Sequence, residues 1–341
     1  MMFSFRNDYS EGAHPSVLQA LLDTNLEATA GYGRDGYTEA AAEAVRTRFA
    51  CPQADVHFLV GGTITNLTAI AAFLRPWEAV IAATTAHICV HECGSIEAAG
   101  HRICEAATPD GKLTPELVRA IVEEHKNGDD GHMVVPRLVY ISDATELGTI
   151  YTKAELTALH DTCRALGLGL YLDGARMGAA LVCRSNDLVP EDFAQLCDAF
   201  YIGGTKNGLL FGEALVIVND AWKPYFRNCI KQHGAMLAKG RLLGLQFSAF
   251  FRNELWLSLA RHADAAAQEV ARAFAEKGYR FYAEPCTNQI FPILSKEQID
   301  TLAQQFSFEV NAQVDATHYA VRFVTSWATA PEAVAALRAA L

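Results

Sequence analysis

Three short segments hold residue types that can do chemistry together. Lys206 lies in GGTKNG (203–208), directly after the apolar run AFYI. A lysine in a tight loop at the end of a buried strand is poorly solvated. Desolvation lowers its pKa, and the free amine is then a nucleophile toward a carbonyl. Read alone, the motif fits a surface-loop lysine equally well. Asp173 follows LGLGLYL (166–172), which puts its carboxylate at the inner end of an apolar strand. Such a carboxylate is costly without a positive or hydrogen-bonding partner. Arg176, three residues on, offers an ordinary ion pair; a protonated ring nitrogen on a ligand is the functional alternative. Gly61-Gly62-Thr63 ends a third apolar run and opens a helix. Glycines admit a close approach, free N–H groups point outward, and the helix dipole favours an anion. The alternative is a plain strand-to-helix turn capped by Thr63.

The combination is more specific than its parts. Asp173 and Lys206 are 33 residues apart, room for one helix and one strand, which places them at the ends of neighbouring strands. A phosphate cradle, a buried carboxylate and a desolvated amine on three strand ends match what pyridoxal 5'-phosphate requires. The lysine forms the Schiff base, the aspartate keeps the pyridine nitrogen protonated, and the loop holds the phosphate.

The segments GGTITN (61–66), HICVHE (87–92), YLDGARMGAAL (171–181) and GGTKNG (203–208) resemble the threonine aldolase and β-eliminating lyase family of fold-type-I pyridoxal-phosphate enzymes. The resemblance runs from about Phe5 to beyond Arg322. It implies the aminotransferase-like α/β fold: a large domain with a mostly parallel seven-stranded sheet and a smaller C-terminal α+β domain. By this resemblance Lys206 is the Schiff-base lysine and Asp173 the ring-nitrogen partner. Gly61, Gly62 and Thr63 form the phosphate loop. His87 stacks on the cofactor ring and assists proton transfer at the substrate hydroxyl. Arg176 and Arg322 face the substrate carboxylate, with Asp8 of the N-terminal arm placed among the substrate-binding residues. Lys231, in IKQHG, reaches the phosphate of a neighbouring subunit. The implied reaction is retro-aldol cleavage of a β-hydroxy-α-amino acid, L-threonine or L-allo-threonine to glycine and acetaldehyde. Other pyridoxal-phosphate chemistry (β-elimination or transamination) and an inactive structural or regulatory homodimer are the alternatives. The partners implied are an amino acid and further copies of the chain, as a homodimer or homotetramer with shared sites. Four departures stand out: Gly61 where serine is commoner, Asn207 where glycine commonly follows the lysine, His91 where a tyrosine commonly stands, and a partial echo at Lys231-Gln232 of a glycine-rich arginine-glutamine segment.

The elements that must position these residues alternate in type. Strand candidates are 56–60, 79–83, 102–107, 138–144, 168–175, 198–204 and 213–219. Helical patterns lie between them at 63–74, 114–126 and 152–166. Strands apolar on both faces, alternating with helices, belong to a buried and largely parallel sheet, in which ligands sit at the carboxyl ends. The N-terminal arm reads as irregular, with one short helix near 15–24. A long helical pattern from about 242 to 276 marks a division into 1–245, the large cofactor-binding domain with the arm, and 246–341, the small domain.

The remaining features bound the class. The chain has 341 residues, 51% of them hydrophobic and 20% charged, so it is no disordered protein. A net charge of −11 disfavours nucleic acid and anionic membranes as partners. No apolar run is long enough for a membrane span, and the first residues do not read as a secretory signal. Nine cysteines without a repeating spacing read as reduced core thiols of a cytoplasmic protein. Gly31–Gly36 formally fits G-x-G-x-x-G but lacks a preceding strand, so it fails as a dinucleotide site. His87, Cys89, His91, Cys93, His101 and Cys104 lack a metal-ligand spacing, and no metal is expected.

Overall fold

The computed structural model describes residues 2–126 and 131–341. Seven strands form the main sheet: β1 Asp55–Leu59, β2 Glu78–Ala83, β3 Arg102–Ala106, β4 Val135–Ser142, β5 Gly169–Asp173, β6 Ala199–Gly203 and β7 Glu213–Ile217. Their order is β1-β7-β6-β5-β4-β2-β3. All run parallel except β7, which is antiparallel to both β1 and β6.

Strand side chains alternate between faces, and here both faces are apolar. On one side Leu170, Leu172, Phe200 and Ile202 join one buried cluster. On the other, Tyr171, Tyr201, Leu138 and Tyr140 join a second. Helices cover both clusters, so the residues that remain reachable are those at strand ends. Helix Lys153–Leu166 illustrates the local signals: Thr152 and Glu155 form a reciprocal cap at its start, and Gly167 ends it with positive φ.

Helix Arg241–Phe251 packs against helix Gly36–Arg48. The 22-residue helix Leu255–Glu276 follows it. Strand His318–Val324 pairs antiparallel with Ile293–Ser295, Glu309–Gln313 and Gln289–Ile290. An apolar cluster of Val270, Phe274, Leu294, Val321, Phe323 and Leu337 lies under these strands, and Phe5 from the arm enters it. The arm is less irregular than its sequence suggests, because Phe3–Ser4 adds a parallel strand to Phe306–Ser307.

All nine cysteines are unpaired. Cys51, Cys104, Cys163, Cys183 and Cys197 are buried, Cys89, Cys229 and Cys286 are half-buried and Cys93 is exposed, so the reading of all nine as core thiols holds for five of them. Among the described residues no helix is long and apolar enough to cross a membrane.

Candidate active site

The carboxyl ends of the parallel strands converge on a cleft of about 470 Å³. Gly62 and Thr63 enter it after β1, His87 after β2, Glu146 after β4, Asp173 and Arg176 after β5, and Lys206 after β6. Arg322 and Glu309 close it from the C-terminal strands. Glycines let the β5 and β6 ends meet. A Cβ on Gly174 would stand 2.0 Å from the Tyr201 carbonyl, and one on Gly203 2.2 Å from that of Ala175. The contact is sealed by a hydrogen bond from the Gly203 N–H to the Gly174 carbonyl (2.9 Å).

Asp173 is buried, and among the described residues no cationic side chain is bonded to it. Its Oδ2 accepts from the Tyr140 hydroxyl (2.5 Å) and Asn66 Nδ2 (3.0 Å). Its Oδ1 accepts from the Tyr201 hydroxyl (2.5 Å) and the Ala175 N–H (3.0 Å). Burial pushes its pKa up. Nearby His87 and the two phenol donors outweigh that, so the carboxyl stays below its ordinary value and is ionised. Of the two readings of Asp173, the ordinary ion pair with Arg176 does not form, because Arg176 turns to Asp8.

Lys206 sits in a one-turn 3₁₀ helix, Thr205–Asn207, with its side chain on the cleft. Burial, then the Arg176 charge, lowers its pKa; Asp8, Asp173 and Glu213 pull the other way without prevailing. Glu213 opens β7, and because that strand runs backwards its first residue lies at the same edge as the others' last. Burial pushes Glu213 up to about 8, and its Oε2 accepts from the Gly204 N–H (3.0 Å). Asn207 has a packing role: its amide donates to the Trp256 carbonyl (2.9 Å) and ties the lysine loop to helix Leu255–Glu276.

Helix Gly62–Phe73 begins without a side-chain cap. Its cap residue is Gly61, in extended conformation, not Thr63. Gly62 and Thr63 line the cleft, and the helix start they form carries no side-chain cap, as an anion-binding helix start requires.

His87 is held at two points. Its backbone N–H donates to Glu146 Oε1 (3.0 Å), and its Nδ1 pairs with Glu92 Oε1 (2.7 Å). Glu92 is fully buried at its side chain and also accepts from Asn66 (2.8 Å). Asn66 thus joins the His87 and Asp173 positions in one network. Tyr140, Tyr201, Asn66, Glu92 and Glu213 were not singled out in the sequence. Their only signal is polar atoms on strands and helices otherwise buried.

Arg176 donates Nε and Nη2 to Asp8 Oδ2 and Oδ1 at 2.7 and 3.0 Å. Asn288 donates to the same carboxylate (2.9 Å). Burial pushes Asp8 up, but Arg176 and Lys206 hold it below its ordinary value. Asp8 therefore grips Arg176 from behind and does not line the cleft. Arg322 lines the cleft with Nη2 bonded to Glu309 and with Nε unpartnered among the described residues. Lys231 lies outside the cleft of its own chain, exposed, with Nζ 4.9 Å from the Tyr32 ring centroid.

The family model of beta-eliminating lyases matches residues 5–297. A low specificity L-threonine aldolase of Pseudomonas aeruginosa is 33% identical over 301 residues, 87% of this chain and 86% of that one. A solved threonine aldolase of Leishmania major is 44% identical, with a TM-score of 0.96 over 99% of this chain and 100% of that one. A Thermus thermophilus aspartate aminotransferase, 14% identical, shares the fold with a TM-score of 0.74 over 99% and 90%. The chain belongs to the threonine aldolase and β-eliminating lyase family and is a lyase of the aminotransferase-like fold type I.

Proposed function

We propose that the protein binds pyridoxal 5'-phosphate in this cleft and cleaves L-threonine or L-allo-threonine to glycine and acetaldehyde. The observation that carries the reading is one cavity shared by Lys206, Asp173 and the open helix start at Gly62-Thr63. Each is in the state the cofactor needs: an amine of lowered pKa, an ionised carboxylate, and unspent N–H donors. The aldolase names of the relatives support the choice of bond. When bound, the cofactor supplies a sink for the electron pair left on Cα.

The chain's own residues do the rest. Lys206 is the nucleophile for the cofactor aldehyde. Asp173 would hold the pyridine nitrogen. The Gly62 and Thr63 N–H groups would hold the phosphate, and His87, fixed by Glu92, would cover the ring. Arg322 binds the substrate carboxylate in exchange for Glu309, while Arg176, locked by Asp8, adds positive potential beside it. Fixing the carboxylate fixes rotation about the Cα–N bond, and so selects the Cα–Cβ bond for cleavage. Imidazole in the cleft suits the β-hydroxyl proton.

The functional unit is a homodimer or homotetramer in which Lys231 reaches a neighbour's phosphate. Nine unpaired cysteines suit the cytoplasm. The test measures acetaldehyde from L-threonine and L-allo-threonine beside pyruvate from L-serine, in wild type and Lys206→Ala. Aldehyde release that Lys206→Ala abolishes is expected. Pyruvate without aldehyde would favour β-elimination instead.

A further inference from the structure

We infer that His91, not His87, accepts the proton of the substrate's β-hydroxyl; this rests on the aldolase reading above and deepens it. His87 has its Nδ1 tied to the buried Glu92 (2.7 Å) and its backbone N–H to Glu146 (3.0 Å), which fixes the ring's orientation and leaves only Nε2 open. A ring that covers the cofactor presents its face to it, whereas a base must aim a nitrogen lone pair.

His91 stands one helical turn further on. Its backbone N–H is bonded to the His87 carbonyl (2.9 Å), and the two ring centroids are 5.5 Å apart at 52°. It lines the same cleft, at the side closed by Arg322 and Glu309, where the substrate carboxylate is read. Among the described residues its ring has no hydrogen-bond partner. The charged groups around it are His87, Arg322, Glu309 and Lys206. Partial burial first, then His87 and Arg322, hold its pKa below the ordinary imidazole value, so the ring is neutral near pH 7.

The step balances without a further reactant. The β-hydroxyl O–H bond breaks toward the imidazole nitrogen, and its pair becomes the second C–O bond of the aldehyde. The Cα–Cβ pair stays with Cα, which takes a proton to complete glycine. The imidazolium returns its proton to water.

The test uses the holoenzyme and His91→Asn, with His91→Phe as a second variant. Two rates are compared: cleavage of L-threonine, and exchange of the glycine α-proton for deuterium, which involves no hydroxyl. Cleavage should fall about 100-fold, the scale of a lost general base, and the acid limb of its pH profile should vanish. Glycine exchange should stay within a few-fold of wild type. Unchanged cleavage with an unchanged acid limb overturns the inference. Equal loss of both rates overturns it too, because His91 would then serve Cα or the fold. Wild-type enzyme that exchanges glycine but releases no aldehyde would sink the aldolase reading instead.

Discussion

Replacing Asp8 by asparagine keeps the side chain's shape and removes its charge. Asp8 is buried under the cleft, receiving two donors from Arg176 and one from Asn288. Arg176 is itself only 9% exposed at its side chain, and guanidinium stays protonated. Removing one partner of a buried ion pair costs about 3–5 kcal/mol, because the other charge is left uncompensated. The asparagine oxygen can still accept one bond from Arg176, so the lower end, about 3 kcal/mol, is expected. At roughly 2 °C per kcal/mol for a long chain, the apparent Tm should fall by about 6 °C at pH 7. The pH dependence has a definite sign. Arg176 and Lys206 hold Asp8 below the ordinary 3.8 against the effect of burial. A carboxyl with a depressed folded pKa contributes stability that is present above the unfolded value and lost as pH falls through the folded one. The gap between wild type and variant is therefore full above about pH 5 and narrows below pH 4. Thermal unfolding followed by fluorescence from pH 7 to pH 3 reads both effects. A gap under about 1 °C at pH 7, or one unchanged at pH 3, would refute the idea that Asp8 holds Arg176 by charge.

Other substitutions probe separate parts of the argument. Asp264 has both carboxylate oxygens buried without a partner among the described residues, and burial pushes its pKa up to about 9. A raised folded pKa drains stability as pH climbs from the unfolded value through the folded one, so Asp264→Asn should flatten the loss of apparent Tm between pH 4 and pH 9. Tyr201→Phe removes a 2.5 Å donor from buried Asp173 and should cost about 1–3 kcal/mol in denaturant unfolding. Arg322→Ala should raise KM for L-threonine by about 10–100-fold, the worth of a charged hydrogen bond, while the bound cofactor's absorption persists. An unchanged KM would place the carboxylate elsewhere.

The strand ends were legible in the sequence because their signals are local. An apolar run that stops at Asp173, or at Gly203-Gly204-Thr205-Lys206, marks both a strand and the edge where it ends. In a parallel sheet those edges share one side. That logic recovers Gly62, Asp173 and Lys206 without any contact being known, whereas His87 came only with the family resemblance. It misses Glu213 for a geometric reason: β7 runs against its neighbours, so the residue that reaches the cleft is the first of its strand. The partners are harder still. Asp8 meets Arg176 across 168 residues and Asn288 across 280; Asn66 meets Asp173 across 107. No periodicity couples such positions. They are found only once folding has excluded water and each buried polar atom must meet a donor or an acceptor. This changes what Arg176 means. The sequence offered it an aspartate three residues away or a substrate carboxylate, but two of its donors go to a residue of the N-terminal arm. The arm is thus part of the cleft's electrostatics, and a truncation that removes Asp8 should disturb Arg176, and through it Lys206, as surely as a change in the loop itself.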